Sequence, residues 1–503
     1  MVFEKLSQLF TNNPTLYSTL YWIAYIFAML SVLSVIVALF WYSTIRNKFS
    51  SPIAQKKISA VGVVMIIIAI LIIIQLLLLV FQENILYIVT FVILMISLVL
   101  LGFKTGTNIT LSLLYRSKRK RTDYKPLVSL IVPAYNEAKV IEKTINSLLE
   151  LSYSTKEIII VDDGSTDNTL KLVKKIARKA PLNVISKPNG GKWSALNKGV
   201  EEAKGEIVVC LDADTILAKN AIEQLIPYFT DKEIAAVAGN IKVGNRRTII
   251  TKLQALEYVM DINLLRRSES TLSKITVVPG PLGAFRKSVL EEVGMYSADT
   301  FAEDADLTMT ILRAGYKIKY EKKALGYTEA PTTLLDFGKQ RYRWYRGQIQ
   351  VLKKHKKAII LMPRVFFNEV ILSWFSLFIF LWLFVLMLNP LSVFALFRAT
   401  EVLPVQTNSF LPQPLADEYL IQGMLIICII SFFAIFVLEL FVTMYTILVD
   451  VKEKPRLALN LLLYKFFFLN LINIIRVLSQ IEELLNYPMK WEIAQREGSI
   501  SKS

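Results

Sequence analysis

Long apolar runs at both ends of the chain flank a central stretch in which short apolar blocks alternate with charged and glycine-containing ones. A helix needs about 20 apolar residues to span the hydrocarbon core of a bilayer. Three runs before the central stretch have about this length, and they are Tyr17 to Tyr42, Val61 to Phe81 and Ile85 to Phe103. We therefore predict an N-terminal membrane region, residues 1–125, with three transmembrane helices. No basic segment precedes the first run, so we do not expect it to be a cleaved signal peptide.

A second membrane region is predicted after the central stretch, over residues 359–503. Its two long apolar runs are Val365 to Phe397 and Leu420 to Leu448. A third stretch, Leu457 to Leu478, is interrupted by Lys465 and Arg476. Charged residues are costly inside a bilayer, so this stretch is either a further span or a helix that lies at the membrane interface. We predict two or three transmembrane helices in this region.

Residues 126–358, between the two membrane regions, have the composition of a soluble α/β domain. Three apolar runs typical of buried strands end in polar clusters, and they are Val128 to Pro133, Glu157 to Val161 and Ile207 to Leu211. Strands of this kind that alternate with helices form parallel sheets, and their carboxyl ends meet at one edge. The sequence therefore predicts one ligand pocket at that edge.

The distribution of charge predicts how the chain is oriented. Hydrophobic residues make up 54% of the 503 residues, yet the formal net charge is +17. Basic residues cluster beside apolar runs, as in Arg116 to Arg121 and Lys353 to Lys357, which favours an anionic membrane surface over nucleic acid as the partner. The loop Arg46 to Lys57 is basic and the turn Gln82 to Asn84 is not. By the positive-inside rule, we expect a multi-pass protein of the cell membrane with the domain 126–358 in the cytosol.

Histidine and cysteine offer little for metal binding or nucleophilic catalysis, because the chain has two cysteines and one histidine, His355. Cys210 and Cys428 lie in apolar runs and are expected to be packing residues. Asp212 and Asp214 follow the third predicted strand, and such carboxylates suit Mg²⁺ or Mn²⁺ bridging a diphosphate. Because Asp-x-Asp is also common on surface loops, the neighbouring motifs decide its meaning.

Six motifs supply that context. They are PAYNE (Pro133 to Glu137), VDDGS (Val161 to Ser165), NGGKWSALNKG (Asn189 to Gly199), DAD (Asp212 to Asp214), AED (Ala302 to Asp304) and QRYRW (Gln340 to Trp344). Together they resemble the membrane-embedded branch of glycosyltransferase family 2, which includes hyaluronan, cellulose and poly-N-acetylglucosamine synthases and the chitin-oligosaccharide nodulation enzymes. The resemblance covers Val128 to Gly347. It implies an α/β glycosyltransferase domain of GT-A type, Rossmann-like, inserted between N- and C-terminal groups of transmembrane helices.

The resemblance assigns the nucleoside pocket to the residues that follow the first two strands. Ala134, Tyr135 and Glu137 would line this pocket, with Tyr135 against the base. Asp162 or Asp163 would accept the uracil N–H, and the sequence does not decide between them.

The later motifs would bind the diphosphate and carry the chemistry. Lys192 follows two glycines whose missing side chains let backbone N–H groups and the ammonium approach phosphate oxygens. The DAD pair would hold the metal, its first carboxylate would also bind the donor, and Gly280 would line the sugar pocket. Asp304 would take the proton from the acceptor hydroxyl as general base, with Glu303 positioning it. Ala302 stands where the family more usually has Thr or Gly.

The QRYRW motif, in the segment 338–350, precedes a polybasic run and is expected at the membrane surface. Gln340, Arg341 and Arg343 would bind the diphosphate leaving group, since arginine offers paired donors. Trp344 would stack on the acceptor sugar or serve as an interfacial anchor.

The activity that the resemblance implies is an inverting, metal-dependent transfer of a sugar from a UDP-sugar to a growing β-linked polysaccharide, coupled to its export. The donor would be UDP-N-acetylglucosamine or UDP-glucose, and we expect Asn240 and Arg246 to help distinguish sugars. Two alternatives remain open. One is nonprocessive transfer to a lipid acceptor, and the other is a membrane scaffold with an inactive transferase domain.

Overall fold

The computed structural model describes residues 70–71, 74, 83–117, 123–356, 366–388, 437–487 and 498–501. The chain divides into two compact units. The first contains the apolar helices, from the described parts of 1–105, 367–442 and 465–489. The second contains the α/β domain, from the described parts of 106–366, 443–464 and 490–503. The predicted span Tyr17 to Tyr42 and nearly all of Val61 to Phe81 lie outside the described residues.

A mixed sheet forms the framework of the α/β domain, and eight strands belong to it in the part of the chain that is described. Strands β1 to β8 are Val128–Ala134, Lys156–Asp162, Asn183–Ser186, Ile207–Cys210, Thr215–Leu217, Ile234–Val243, Gly283–Arg286 and Lys317–Thr328. Their order across the sheet is β3-β2-β1-β4-β7-β6-β8-β5.

The three strands predicted from apolar runs are β1, β2 and β4, and they pair in parallel as predicted. Ala134 pairs with Asp162 and Ile131 with Cys210, so the predicted polar clusters meet at one edge. All residues of β1 and β4 are buried, as expected for strands covered on both faces.

The sheet as a whole is not parallel, which the apolar pattern did not predict. β7 runs antiparallel to β4 and β6, and β5 runs antiparallel to β8. The reason is local, since the chain turns back directly after Asp212 to enter β5, and Pro279 to Leu282 lead directly into β7. Both strands therefore begin at the edge where the parallel strands end, and this brings DAD and Gly280 to the same edge.

Helices connect these strands and continue into the apolar unit. Helices α1 to α10 are Glu83–Leu114, Ile141–Leu149, Thr169–Ala177, Lys192–Glu202, Ala221–Leu225, Ile249–Glu257, Leu264–Thr271, Lys287–Glu292, Glu303–Arg313 and Leu334–Lys354. Helices α11 to α14 are Leu372–Leu388, Val437–Val449, Leu461–Leu463 and Leu469–Leu484. Short 3-10 segments (Ile226–Thr230 and Pro455–Asn460) and π-helical segments (Tyr258–Asn263, Phe367–Ile371 and Tyr464–Phe468) extend several of them.

Two helices among the described residues are long and apolar enough to cross a membrane, Ile88–Leu114 and Pro455–Leu484. The first extends past the predicted end at Phe103. Val92, Ile96, Val99 and Phe103 lie along one face of it and are between 46% and 69% exposed. An apolar face of this kind suits contact with lipid.

Polar side chains of the apolar unit pair with one another. Lys465 Nζ lies 2.7 Å from Glu439 Oε2, and Arg476 Nη1 donates to Ser373 Oγ at 3.0 Å. Such pairing lowers the cost of placing charges within apolar helices. The stretch 457–478 therefore has the properties of a packed helix, and its crossing of the membrane stays a prediction.

Candidate active site

The loop after β1 is held firmly in place. Ala134 is buried, and its carbonyl accepts the Asp163 N–H at 2.9 Å. Asn136 has a φ of 57°, and its Oδ1 accepts the N–H of Thr166 at 2.8 Å. Glu137 N–H donates to a threonine hydroxyl at 2.8 Å. Tyr135, between these anchored residues, is half-buried at the sheet edge.

The structure distinguishes the two aspartates that the sequence could not. Asp163 Oδ1 accepts from Lys187 Nζ at 2.5 Å and from Gly190 N–H at 3.0 Å, while its Oδ2 accepts from Gly191 N–H at 2.8 Å. Asp163 thus holds the glycine-rich loop. Asp162 Oδ1 is buried and has no hydrogen-bond partner among the described residues. Its other oxygen has two long contacts, both of 3.4 Å. Asp162 therefore offers a buried acceptor atom that no described residue uses.

Lys192 stands at the first position of α4, after Gly191, whose φ is 88°. Its Nζ lies 2.7 Å from Asp212 Oδ1 and 3.0 Å from Glu303 Oε1. A Cβ at Gly280 would lie 2.9 Å from Nζ and 3.3 Å from Asp212 Oδ1. Glycine at position 280 therefore leaves room for this ion-paired cluster.

Asp304 lies in the first turn of α9, beside the same cluster. Its Oδ2 accepts Gly280 N–H at 3.3 Å and its Oδ1 accepts Ala305 N–H at 2.8 Å. Burial, and then the charge of Glu303, raise the pKa of Asp304, although Lys192 opposes them. Burial lowers the pKa of Lys192, but the carboxylates of Asp212, Glu303 and Asp304 outweigh it and raise that pKa. The site thus contains a cation with a raised pKa and a half-buried carboxylate that binds a proton more readily than an exposed aspartate.

The DAD pair does not form a complete metal site by itself. Asp214 is buried, and its Oδ1 accepts from the hydroxyl of Thr328 at 3.3 Å. The side chain of Asp212 is 25% exposed at the pocket. No group of three or more potential metal-ligating side chains occurs among the described residues. This donor set fits a cation that takes one or two carboxylates from the protein and the rest of its oxygens from a diphosphate and water.

The QRYRW residues lie on α10, where Arg341 is engaged within the protein. Its Nη2 donates to Glu257 Oε2 at 2.6 Å and its Nη1 to Gln340 Oε1 at 3.0 Å. Its guanidinium lies 4.1 Å from the ring centre of Trp344, and its side chain is fully buried. Arg343 is half-buried on the same helix. The structure thus places Arg341 as a support beneath Trp344, and the predicted contacts of these residues with substrate stay predictions.

A buried polar cluster engages Asn240 and Arg246, which were expected to distinguish sugars. Asn240 Nδ2 donates to Asp450 Oδ1 at 2.8 Å, and Arg246 donates through both Nη atoms to Glu453, at 2.7 and 2.8 Å. Lys242 Nζ lies 2.6 Å from Asp450 Oδ2. Sequence reasoning missed this cluster because its acidic residues lie about 200 positions downstream, after α12. In the sequence, the only indication of this cluster was the group of charged residues beside an apolar run near Asp450.

Comparisons with known proteins agree with the predicted family. Residues 129–294 match the sequence model of the family described as Glycosyl transferase family 2. The poly-beta-1,6-N-acetyl-D-glucosamine synthase of Staphylococcus aureus is 34% identical over 263 residues, which are 52% of this chain and 63% of the relative. The corresponding synthase of Staphylococcus epidermidis is 35% identical over 48% of this chain and 58% of the relative. The chain thus spans less than two thirds of the length of these relatives.

A solved mannosyltransferase from Pyrobaculum calidifontis, in complex with GDP-Man and Mn²⁺, aligns over 69% of this chain and 99% of its own, with 22% identity and a TM-score of 0.49. The family match covers the motifs from PAYNE to Gly280, and the structure brings Asp304 to the same edge. The resemblance drawn from the motifs is therefore confirmed, and residues 129–294 match a glycosyltransferase domain of family 2.

Proposed function

We propose that this chain transfers a sugar from a UDP-sugar to a growing β-linked polysaccharide, with inversion at the anomeric carbon. The observation that carries the proposal is the half-buried carboxylate of Asp304, which lies beside Gly280 N–H and next to the Lys192, Asp212 and Glu303 cluster. In a family 2 domain, this arrangement supports the proposal of a general base beside a group that can bind a diphosphate.

Asp304 supplies the base of a single displacement. Its raised pKa makes it a stronger base than an exposed aspartate, and it must be ionised to take the proton. It takes the proton of an acceptor hydroxyl while the oxygen attacks C1 from the face opposite the leaving group. One attack of this kind converts an α-linked donor into a β-linked product.

Lys192 stabilises the departing diphosphate, because its pKa is raised and it remains charged. Asp212 and Asp214 would hold Mg²⁺ or Mn²⁺, which would supply positive charge to the leaving diphosphate. Two carboxylates pair with the Lys192 ammonium, at 2.7 and 3.0 Å. They orient the ammonium toward the pocket before substrate binds.

Asp162 is the residue that we assign to the uracil N–H, since its buried Oδ1 has no partner among the described residues while Asp163 is engaged by the glycine-rich loop. Tyr135 would lie against the base, and Glu137 and Ala134 would complete the pocket. The names of the staphylococcal relatives favour UDP-N-acetylglucosamine over UDP-glucose as the donor.

The apolar helices support a place in the cell membrane, with the transferase domain in the cytosol and the product exported as it grows. Trp344, supported by Arg341, is the acceptor platform. Polysaccharide is the proposed acceptor, and transfer of one sugar to a lipid is the competing outcome.

The test uses the purified full chain in lipid nanodiscs with a panel of UDP-sugars. UDP release and product size are measured together. We expect release with UDP-N-acetylglucosamine and a ladder of long products, both of which Asp304→Asn abolishes while UDP binding remains. A single-sugar lipid product would replace the polysaccharide assignment with the lipid acceptor. Absence of UDP release with every donor would refute the proposal.

A further inference from the structure

Helix α9 presents a second carboxylate on the face opposite Asp304. Asp306 follows two positions later, about 200° around the helix. Asp304 faces Gly280, whereas Asp306 faces the carboxyl end of α10. The two aspartates therefore hold the same helical turn from opposite sides, and only the first lies at the site described above.

Asp306 is the centre of a largely buried cluster and has three hydrogen-bonding neighbours. His355 Nε2 lies 2.7 Å from its Oδ1, and Lys354 Nζ and Ser297 Oγ each donate to its Oδ2 at 2.7 Å. Arg313 Nη1 lies 3.0 Å from His355 Nδ1. The side chains of Asp306 and His355 are 3% and 2% exposed. The cluster thus joins α9, the end of α10 and the loop before α9.

The neighbours of the histidine determine its tautomer. A guanidinium can only donate, so His355 Nδ1 accepts from Arg313 and carries no proton. The ring hydrogen is then on Nε2 and is donated to Asp306. Burial raises the pKa of Asp306, but the hydrogen bonds from His355, Lys354 and Ser297 outweigh it and lower that pKa to about 2. The acceptor carboxylate therefore stays ionised throughout the working pH range.

Helix α10 contacts the start of α9 at two further positions along its length. Gln350 Oε1 accepts the N–H of Phe301 at 2.9 Å. Gly347 lies so close that an added Cβ would be 2.7 Å from the Cβ and the backbone N of Ala302. Residues 347 and 350 are about one helical turn apart and residue 355 directly follows the helix, so the carboxyl half of α10 contacts the start of α9 at three points. Because α10 also carries Trp344, this contact sets the position of the acceptor platform relative to Asp304.

We propose that His355 is a positioning residue for sugar transfer. Its hydrogen bond to Asp306 fixes the orientation of α9 and so keeps the Asp304 carboxylate at the distance from the acceptor that proton transfer requires. His355 does not touch substrate. The inference rests on the proposed function, and it adds to it a residue outside the pocket that acts through Asp304.

The kinetic test compares two replacements of His355. Glutamine can still donate an amide N–H to Asp306, whereas leucine fills the space without a donor. We expect His355→Leu to lower kcat about 10- to 100-fold, as a small misplacement of a catalytic group does, with the KM for donor and the UDP affinity unchanged. His355→Gln should retain most of the activity. Glu233→Gln, which breaks an exposed ion pair with Lys317, is the matched control and should have no effect.

A spectroscopic test observes His355 directly, because it is the only histidine in the chain. This test does not depend on turnover. In protein labelled with ¹⁵N-histidine and purified without a histidine tag, the resonances should show an unprotonated Nδ1 and a protonated Nε2. Asp306→Asn should change the Nε2 resonance and lower kcat. Combining it with His355→Leu should cause little further loss, because both changes break the same hydrogen bond.

Several results would overturn the inference. These are a protonated Nδ1, a folded His355→Leu variant with unchanged kcat, or equal losses in the glutamine and leucine variants together with a parallel loss of UDP binding. If His355→Leu does not fold, Asp306→Asn and the resonances of the wild type decide. A wild type that releases no UDP from any donor would refute the proposed function, and the inference with it. An active wild type with an equally active leucine variant would refute the inference alone.

Discussion

Gly347→Ala tests how closely α10 must approach the helix that carries Asp304. The new Cβ would lie 2.7 Å from the Cβ and from the backbone N of Ala302, and 3.0 Å from the carbonyl carbon of Phe301. Carbon atoms are at their optimal separation at about 3.5 to 4.0 Å. The shortfall is roughly 1 Å, and none of the three obstructing atoms is the end of a flexible side chain. The two helices must therefore separate by a comparable distance.

The expected effect on activity is larger than the effect on stability. Overpacking costs about 1–3 kcal/mol, while replacing glycine by alanine within a helix returns about 1 kcal/mol. The free energy of unfolding should thus fall by no more than about 2 kcal/mol. A displacement of about 1 Å between a base and its substrate can lower the rate about 100-fold. We expect kcat to fall by this order with UDP affinity unchanged, because the residues assigned to the nucleoside follow β1 and β2.

The assay measures initial rates of UDP release, UDP binding by calorimetry and the unfolding temperature in one preparation. Gly106→Ala is the matched control, since Gly106 also lies within a helix and no atom of the described residues lies within 4 Å of the added Cβ. It should be active and at least as stable as the wild type. Ala302→Gly added to Gly347→Ala removes one of the three obstructions and should restore part of the rate. Wild-type kcat in a folded Gly347→Ala variant would refute the packing argument.

Four further outcomes are expected. Excess EDTA should stop UDP release and Mg²⁺ or Mn²⁺ should restore it, and Asp214→Asn should remain inactive with either ion; full activity in EDTA would contradict the metal proposal. Glu303→Gln should move the acid limb of the kcat/KM profile to lower pH, because after burial the charge of Glu303 is the largest cause of the raised pKa of Asp304 and the base must be ionised to act. Trp344→Ala should keep UDP binding and donor hydrolysis but lose extension of a supplied oligosaccharide, whereas normal extension would make the indole an anchor. Ile500→Ala should lower the unfolding temperature of the α/β domain, because this side chain is 3% exposed against Ile216 and such truncations cost about 2–5 kcal/mol.

The part of the fold that follows from the sequence is the part whose strands are buried on both faces. β1, β2 and β4 are unbroken apolar runs, and parallel pairing is the usual arrangement for such runs. The reversed direction of β5 and β7 was not predictable in this way, because both are short and their direction depends on where the chain leaves the site. Residue pattern determines which face of a strand is buried, but tertiary connections determine its direction.

The site shows the same division between local and distant causes. Lys192 and Gly280 are close because motif loops converge on one edge, and the sequence predicted that edge from the ends of β1, β2 and β4. The engagement of Arg341 by Glu257 was not predictable, because the two residues are 84 positions apart and only an isolated charge in an apolar helical run marked Glu257. The sequence therefore indicates which residues gather at the pocket more reliably than it indicates which of them face the ligand.

The two aspartates after β2 show why this limit is physical. They are the same residue type in adjacent positions, so neither composition nor motif distinguishes them. Asp162 is the last residue of β2 that pairs on both sides, with Ala134 and with Ser186, and the pleat fixes the direction of its side chain. Asp163 is released from the ladder and turns to the N–H groups of the glycine-rich loop. Because Asp163 has left the strand, its side chain can turn to support the loop, while the side chain of Asp162, fixed by the strand, keeps a buried acceptor.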